Sequence, residues 1–394
     1  MSFVRVKLLP RSMLGRRFQY AFASLSIERV EVRYESDEMI FPDETSYVNT
    51  VKLALKNILD VYTQSNPLRD CKPSTAHGID CCRLRGGPKL YGNDYNDIKR
   101  MGLGECPYIT TKGKAKYTWT HLAVSYALKV IERKGPLRDP EEFGVPSLAK
   151  ATLFSKIRGI GAKTETKEIK VDKDAIGTML LGGSLSFLGS YNVSRRGRDQ
   201  MEFYLLPDIP GRTYSTILQI ASIQDFSNNL AALTTSLLKN LGVSMEAALT
   251  LAIAVLLYRN EELVSGIEGG AESLVSGVKL YTVSPSGNRP QLRSGIPLSL
   301  ALYKTYTKRS IQLVNGLAHS RSDIVKSAAR ECIHDMFLQS VSPCNGSFIV
   351  DCGRILAAVT QERDLNKEIL GMASSLLKSL DREYSRILQE CGTA

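Results

Sequence analysis

The side chains in this sequence best suited to chemistry are cations. Arg83, Arg85 and Lys89 stand in a glycine-rich stretch, followed by Lys99 and Arg100. Lys112, Lys114 and Lys116 alternate with neutral residues just before Tyr117 and Trp119, and Arg195, Arg196 and Arg198 crowd a turn-like segment. Alternation matters because successive side chains of an extended segment point to opposite faces. Cations at every second position then project from one face, as a strip following a phosphate backbone requires. Each group alone also fits a solvated loop. Their gathering in one half of the chain points to a polyanion partner.

Other chemistries fare less well. Cys71, Cys81, Cys82 and Cys106, with His77 among them, offer soft ligands for zinc, but no C-x2-C pair is present. Zinc, a disulfide and unliganded thiols all remain open for this group, with thiols the leading expectation and no cofactor expected. Cys332, Cys344, Cys352 and Cys391 lie in helical or apolar surroundings and are expected to act as small core hydrophobes. His334-Asp335 matches the adjacent metal ligands of some phosphohydrolases, yet the chain holds only 4 histidines from which to complete such a site. The segment Gly177–Ser184 (GTMLLGGS) resembles a phosphate loop with glycine at the lysine position, so the phosphate ligand is missing. Arg158–Thr164 (RGIGAKT) resembles the turn of a helix-hairpin-helix, but the following ETKEIKVDKD is too polar to pack as its second helix. No nucleophilic triad stands out.

The elements that would position the cations follow from hydropathy patterning. Val4 and Val6, and later Ile27, Val30 and Val32, alternate as half-buried strands do. A helix is predicted from Ser46 to Gln64, with Asp43 and Thr45 as available caps. A second is predicted around Trp119–Ile131, anchored by Trp119 and stopped by Gly135-Pro136. Between them, residues 65–111 read as a long loop. Ile176–Leu188 is an apolar stretch whose Gly182-Gly183 favours close backbone packing, and Met201–Leu206 reads as a strand. Further helices are predicted at Ile217–Leu241, Met245–Leu263 behind a Ser244 cap, Leu298–Leu317, Ser322–Val341 and Glu362–Glu390, with a strand pair or loop at Val278–Arg293.

These elements amount to an α+β chain: a mixed α/β domain with long basic loops over residues 1–212, then a mainly α-helical bundle over 213–394. The 394 residues carry 51 basic and 40 acidic side chains. Residues 1–212 hold 34 basic and 24 acidic groups, and residues 213–394 hold 17 and 16, so nearly all the excess sits in the first half. That asymmetry favours a nucleic-acid partner for the first domain. No apolar run approaches the length of a membrane span, and MSFVRVKLLPRSMLGRR lacks the apolar core of a secretory signal, so a cytoplasmic protein is expected.

The basic α/β half, the glycine-containing apolar segment from Gly177, the strand ending in EFYLLPD at Asp208 and the helical region from Tyr214 together resemble one family. It is the large subunit of archaeal subtype I-A CRISPR surveillance complexes of the Cascade type. The resemblance implies a non-enzymatic subunit at the 5′ end of the guide RNA that engages a short duplex motif beside the target and helps to open the DNA. It implies partners in guide RNA, target DNA and other subunits, with a helicase and a nuclease recruited, and neither membrane nor small-molecule substrate. Base pairing by the guide then carries most of the specificity, while basic loops hold backbones. The alternatives are a metal-dependent nuclease or phosphohydrolase using His334 and Asp335, or a structural adaptor whose basic half docks an acidic protein.

Overall fold

The computed structural model describes residues 3–26, 30–65, 119–139, 142–145, 149, 169–192, 200–208, 210–211, 233–234, 238, 244–259, 278–284, 291–297, 316–317, 320–341, 346–361 and 367–391. Helices and antiparallel sheets are both present, with helices at the C-terminal end: an α+β chain. It divides into two compact units, one of residues 1–225 with 277–295, the other of 226–276 with 296–394.

In the first unit, β1 (Val4–Lys7), β2 (Arg33–Tyr34) and β3 (Glu38–Phe41) form an antiparallel sheet in the order β1-β3-β2, with Val6 opposite Met39. Of the strand expected around Ile27–Val32, residues 27–29 lie outside the described residues and 30–32 are not in a strand; β2 begins at Arg33. Between β1 and β2 lies α1 (Leu14–Ser24), a helix the hydropathy pattern did not reveal. Its apolar positions Leu14, Phe18, Ala21 and Phe22 form one stripe and are fully buried, and Arg16 and Gln19, off that stripe, are buried as well. Gln19 accepts from Leu9 N at 2.9 Å and donates to the carbonyls of Lys7 (2.8 Å) and Ala175 (3.2 Å). The Arg16 guanidinium is met by the carbonyls of Leu9 and Ser36 and by the Tyr20 hydroxyl. Burial without such partners would cost each group several kcal/mol, on the order of 2–7.

Helix α2 (Glu44–Ser65) starts where Asp43 accepts from Ser46 N at 2.7 Å, and α3 (Trp119–Arg133) ends just ahead of Gly135-Pro136. A two-stranded ribbon of β4 (Phe143–Gly144) and β5 (Lys170–Val171) leads to α4 (Lys173–Ser186), capped by Asp172. Residues 177–184 lie within this helix, so the loop-like glycine motif is a packing surface. Gly182 is where α1 and α4 meet: a Cβ there would run into the backbone carbonyl of Phe18 and lie 3.1 Å from Phe22 N. Only glycine permits that approach. From α4 the chain enters β6 (Phe187–Asn192) and returns as β7 (Gln200–Pro207). Strands β8 (Val278–Ser284) and β9 (Gln291–Pro297) complete a sheet ordered β6-β7-β8-β9, with Tyr204 opposite Tyr281. The hairpin placed by sequence among the helices after residue 212 therefore belongs with the first unit's sheet, because its ladder partner is β7.

In the second unit, α5 (Met245–Arg259) begins at Ser244, whose hydroxyl accepts from Ala247 N at 3.2 Å. Helix α6 (Asp323–Val341) buries Val325, Ala328, Ala329, Cys332, Ile333 and Met336 at helical spacing and packs against α5 and α7 (Ser347–Thr360). Helix α8 (Lys367–Cys391) packs on α7 through Ala373, Leu376 and Leu380. The sequence reading left out α7. It also treated Cys332 and Cys352 as separate apolar side chains. They are fully buried, but they form a disulfide with Cα atoms 4.6 Å apart, joining α6 to α7. The helices expected at Ile217–Leu241 and Leu298–Leu317 fall almost wholly outside the described residues.

Replacing Gly182 with alanine drives a methyl into the α1 backbone, which cannot yield as a side-chain end can. Urea unfolding of the purified variant should show a loss of about 3 kcal/mol or more. A loss under about 0.5 kcal/mol would remove this helix crossing from the determinants of the fold.

Candidate nucleic-acid interface

The cations singled out by sequence all lie outside the described residues: Arg83, Arg85, Lys89, Lys99, Arg100, Lys112, Lys114 and Lys116 between α2 and α3, and Arg195, Arg196 and Arg198 between β6 and β7. So do Cys71, His77, Cys81, Cys82 and Cys106, and the Arg158–Thr164 segment. What is visible is the scaffold that carries these connections at its ends.

The first scaffold is the α2–α3 pair, locked to α4 by a buried polar chain. Tyr126 donates to Asp174 Oδ1 at 2.7 Å, so the short bond joining the Tyr47 and Tyr126 hydroxyls has Tyr47 as donor. Asp174 also accepts from Leu137 N and Arg138 N, each at 3.0 Å, at a turn where Lys134 and Arg138 adopt positive φ. Its place in the first turn of α4 adds the favourable end of the helix dipole. Burial, together with the neighbouring Asp174 and Tyr47, pushes the Tyr126 hydroxyl well above its ordinary pKa. Outside this chain, Arg138 pairs with Glu44 and Lys173 with Asp139. Glu44 opens α2 and Arg138 follows α3, so the two helices run antiparallel.

The second scaffold is the β6–β7–β8 ladder. Asn192 pairs with Gln200, so residues 193–199 join two strands that are paired up to their ends. At the far end of β7, Asp208 gathers three partners: Lys279 Nζ at 2.6 Å, the Tyr281 hydroxyl at 3.0 Å and Arg17 Nε at 3.3 Å. The Arg17 guanidinium also lies over the Tyr281 ring at 5.2 Å. Partial burial alone would raise the Asp208 pKa; the hydrogen bonds from Lys279 and Tyr281, the Lys279 charge and Arg17 outweigh it and hold the carboxyl below its usual value. Sequence reasoning missed this cluster, since residues 17, 208 and 279 share no local pattern.

The exchange of the β8–β9 hairpin alters the charge distribution. Counted over the ranges of the two units, the first carries 37 basic and 25 acidic side chains and the second 14 and 15. The net charges are then +12 and −1, a sharper division than a cut at residue 212 provides.

His334 and Asp335 sit in the middle of α6, with His334 exposed. Among the described residues no group of three or more His, Cys, Asp or Glu side chains is arranged to hold a metal ion. Asp335 is instead part of a crowded acidic flank. Burial and repulsion from Asp351 and Glu331 outweigh attraction to His334 and push its carboxyl up to about 6. No helix of the described residues is long and apolar enough to cross a membrane. Compared with protein-family models and with curated proteins, the chain matches none.

The two shifted carboxyls give opposite pH responses. The depressed Asp208 stabilises its unit above the unfolded-state value, and that contribution fades as pH falls through the folded-state value. Asp208→Ala should cost about 2 kcal/mol at pH 7 by chemical denaturation, with the difference from wild type shrinking in strong acid. The raised Asp335 does the reverse: stability falls as pH rises through about 6. Asp335→Asn should therefore unfold later than wild type at pH 8 and together with it at pH 4 or below. Equal stability at pH 8 would show that the flank is not repulsive.

Proposed function

We propose that this chain is a non-catalytic nucleic-acid-binding subunit of an RNA-guided CRISPR antiviral complex, one that helps to recognise and open target DNA. The observation that carries the reading is the division of charge, +12 on the first unit against −1 on the second. A field of that sign attracts phosphate backbones, and confining it to one unit leaves the other free to pack on proteins. The basic segments 66–118 and 193–199 adjoin elements tied by buried hydrogen bonds and a strand ladder, and a rigid scaffold is what binding groups need beside them. On this reading the partners are guide RNA, target DNA and neighbouring subunits, with a helicase and a nuclease acting in the same complex in the cytoplasm. Nothing in the described flank of His334 and Asp335 favours the hydrolase alternative.

The test is binding of the full chain, alone and within its complex, to guide RNA and to target duplex across a salt series. With Lys112, Lys114 and Lys116 changed together to Gln, affinity should fall for every sequence tried. The slope of log K against log salt should flatten by about 2.1 to 2.7, near 0.7 to 0.9 for each of three phosphates no longer neutralised. Absence of any binding at low salt would overturn the proposal.

A further inference from the structure

The exposed face of α2 has a composition that its buried face does not explain. Tyr47, Val48, Val51, Ala54, Leu55 and Ile58 are buried and hold the helix in place. Thr45, Asn49, Lys52 and Lys56 lie on the other side, and their spacing of four, three and four residues sets them in one line along it, all four exposed. Among the described residues neither lysine meets a carboxylate. The acidic groups at the start of the helix are otherwise engaged, Asp43 in capping Ser46 N and Glu44 with Arg138. Two ammonium groups with no carboxylate partner among the described residues thus stand on one helix face beside two neutral hydrogen-bonding side chains.

Their level along the helix pair is also informative. The Tyr47–Tyr126 bond sets those residues side by side, and the Glu44–Arg138 pair fixes the antiparallel sense. At about 1.5 Å per residue, the start of α3 lies roughly 10 Å from that bond, and Lys52 and Lys56 lie roughly 7 and 13 Å from it in the same direction. The two lysines therefore bracket the level at which α3 begins.

We infer that the outer face of α2, Thr45–Asn49–Lys52–Lys56, is a docking surface for the phosphate backbone of nucleic acid. Lys52 and Lys56 neutralise two phosphates, and Thr45 and Asn49 donate hydrogen bonds to phosphate or sugar oxygens. Such interactions fix register and carry no base preference. The inference rests on the nucleic-acid reading above and adds to it a surface on a helix, where the sequence had pointed only to loops.

The experiment uses the full chain with Lys52 and Lys56 both changed to Gln, and a second variant with both changed to Arg. The probes are mixed-sequence single-stranded RNA and a mixed-sequence DNA duplex, titrated over a potassium chloride series, with thermal unfolding followed in parallel. The Gln variant should bind each probe about 5- to 10-fold more weakly at about 100 mM salt, with a slope lower by about 1.4 to 1.8. The Arg variant should bind as wild type does, and both should unfold at the wild-type temperature. If wild type binds and the Gln variant matches it in affinity and slope, this surface is overturned while the proposed function stands. Weaker binding with an unchanged slope overturns it too, since the number of phosphates neutralised is then the same as in wild type. If wild type binds neither probe, both proposals fall.

Discussion

The approach of α1 to α4 at Gly182 is the constraint on which the first unit depends. Two helix backbones meet there with no side chain between them, and the fully buried Phe18 and Phe22 pack around the crossing. Several of the unit's described elements are attached to one of those two helices. Through Gln19, α1 binds both the end of β1 and the start of α4. Helix α4 holds α3 through Asp174 and Tyr126, α3 holds α2 through Tyr47, and the last turn of α4 runs straight into β6. One backbone crossing thus fixes the origin of both connections that carry the basic clusters.

Much of this was legible in the sequence, and the failures share a cause. Helices α2, α3 and α6 announced themselves because a local cap or stop residue coincided with an apolar period, at Asp43, Gly135-Pro136 and Ser322-Asp323, and α5 because a continuous apolar run follows Ser244. The close packing at Gly182 was also expected, since an apolar run with paired glycines has few other uses. Helix α1 was missed although Leu14, Phe18, Ala21 and Phe22 make a regular apolar stripe, and the burial of Arg16 and Gln19 off that stripe is set by distant partners. Those polar groups are satisfied by carbonyls of β1, the loops beside it and α4, which no local window contains. The pairing of β7 with β8 escaped for a related reason: some seventy residues separate the partners, and only the ladder shows that the hairpin belongs with the first unit. The cations chosen for the candidate interface fall outside the described residues, whereas Lys52 and Lys56 became informative only once their neighbours were known to be otherwise paired.

The chemistry of the two units differs in kind. In the first, carboxylates are placed to order the scaffold: Asp174 on backbone N–H groups, Asp208 between two cations, Asp172 and Asp43 at helix starts. Each compensates a local donor, and the remaining basic excess belongs to the unit as a whole. In the second, near-neutral overall, Asp335 is set among like charges and held partly protonated. The described part of that unit is held instead by helix packing, α6 on α5 and α7 and α7 on α8.

The link between Cys332 and Cys352 bears on where such a chain is made and kept. Both sulfurs are sealed inside the α6–α7 core, so the bond must form before or during closure of that core and is shielded from dissolved reductants afterwards. The glutathione-rich interior of an ordinary mesophilic cell keeps protein thiols reduced and rarely leaves structural bonds of this type. Oxidising compartments hold them, and so do the interiors of hyperthermophilic archaea and bacteria. A cross-link hidden in a helical core therefore fits either an oxidising compartment or the interior of a hyperthermophile.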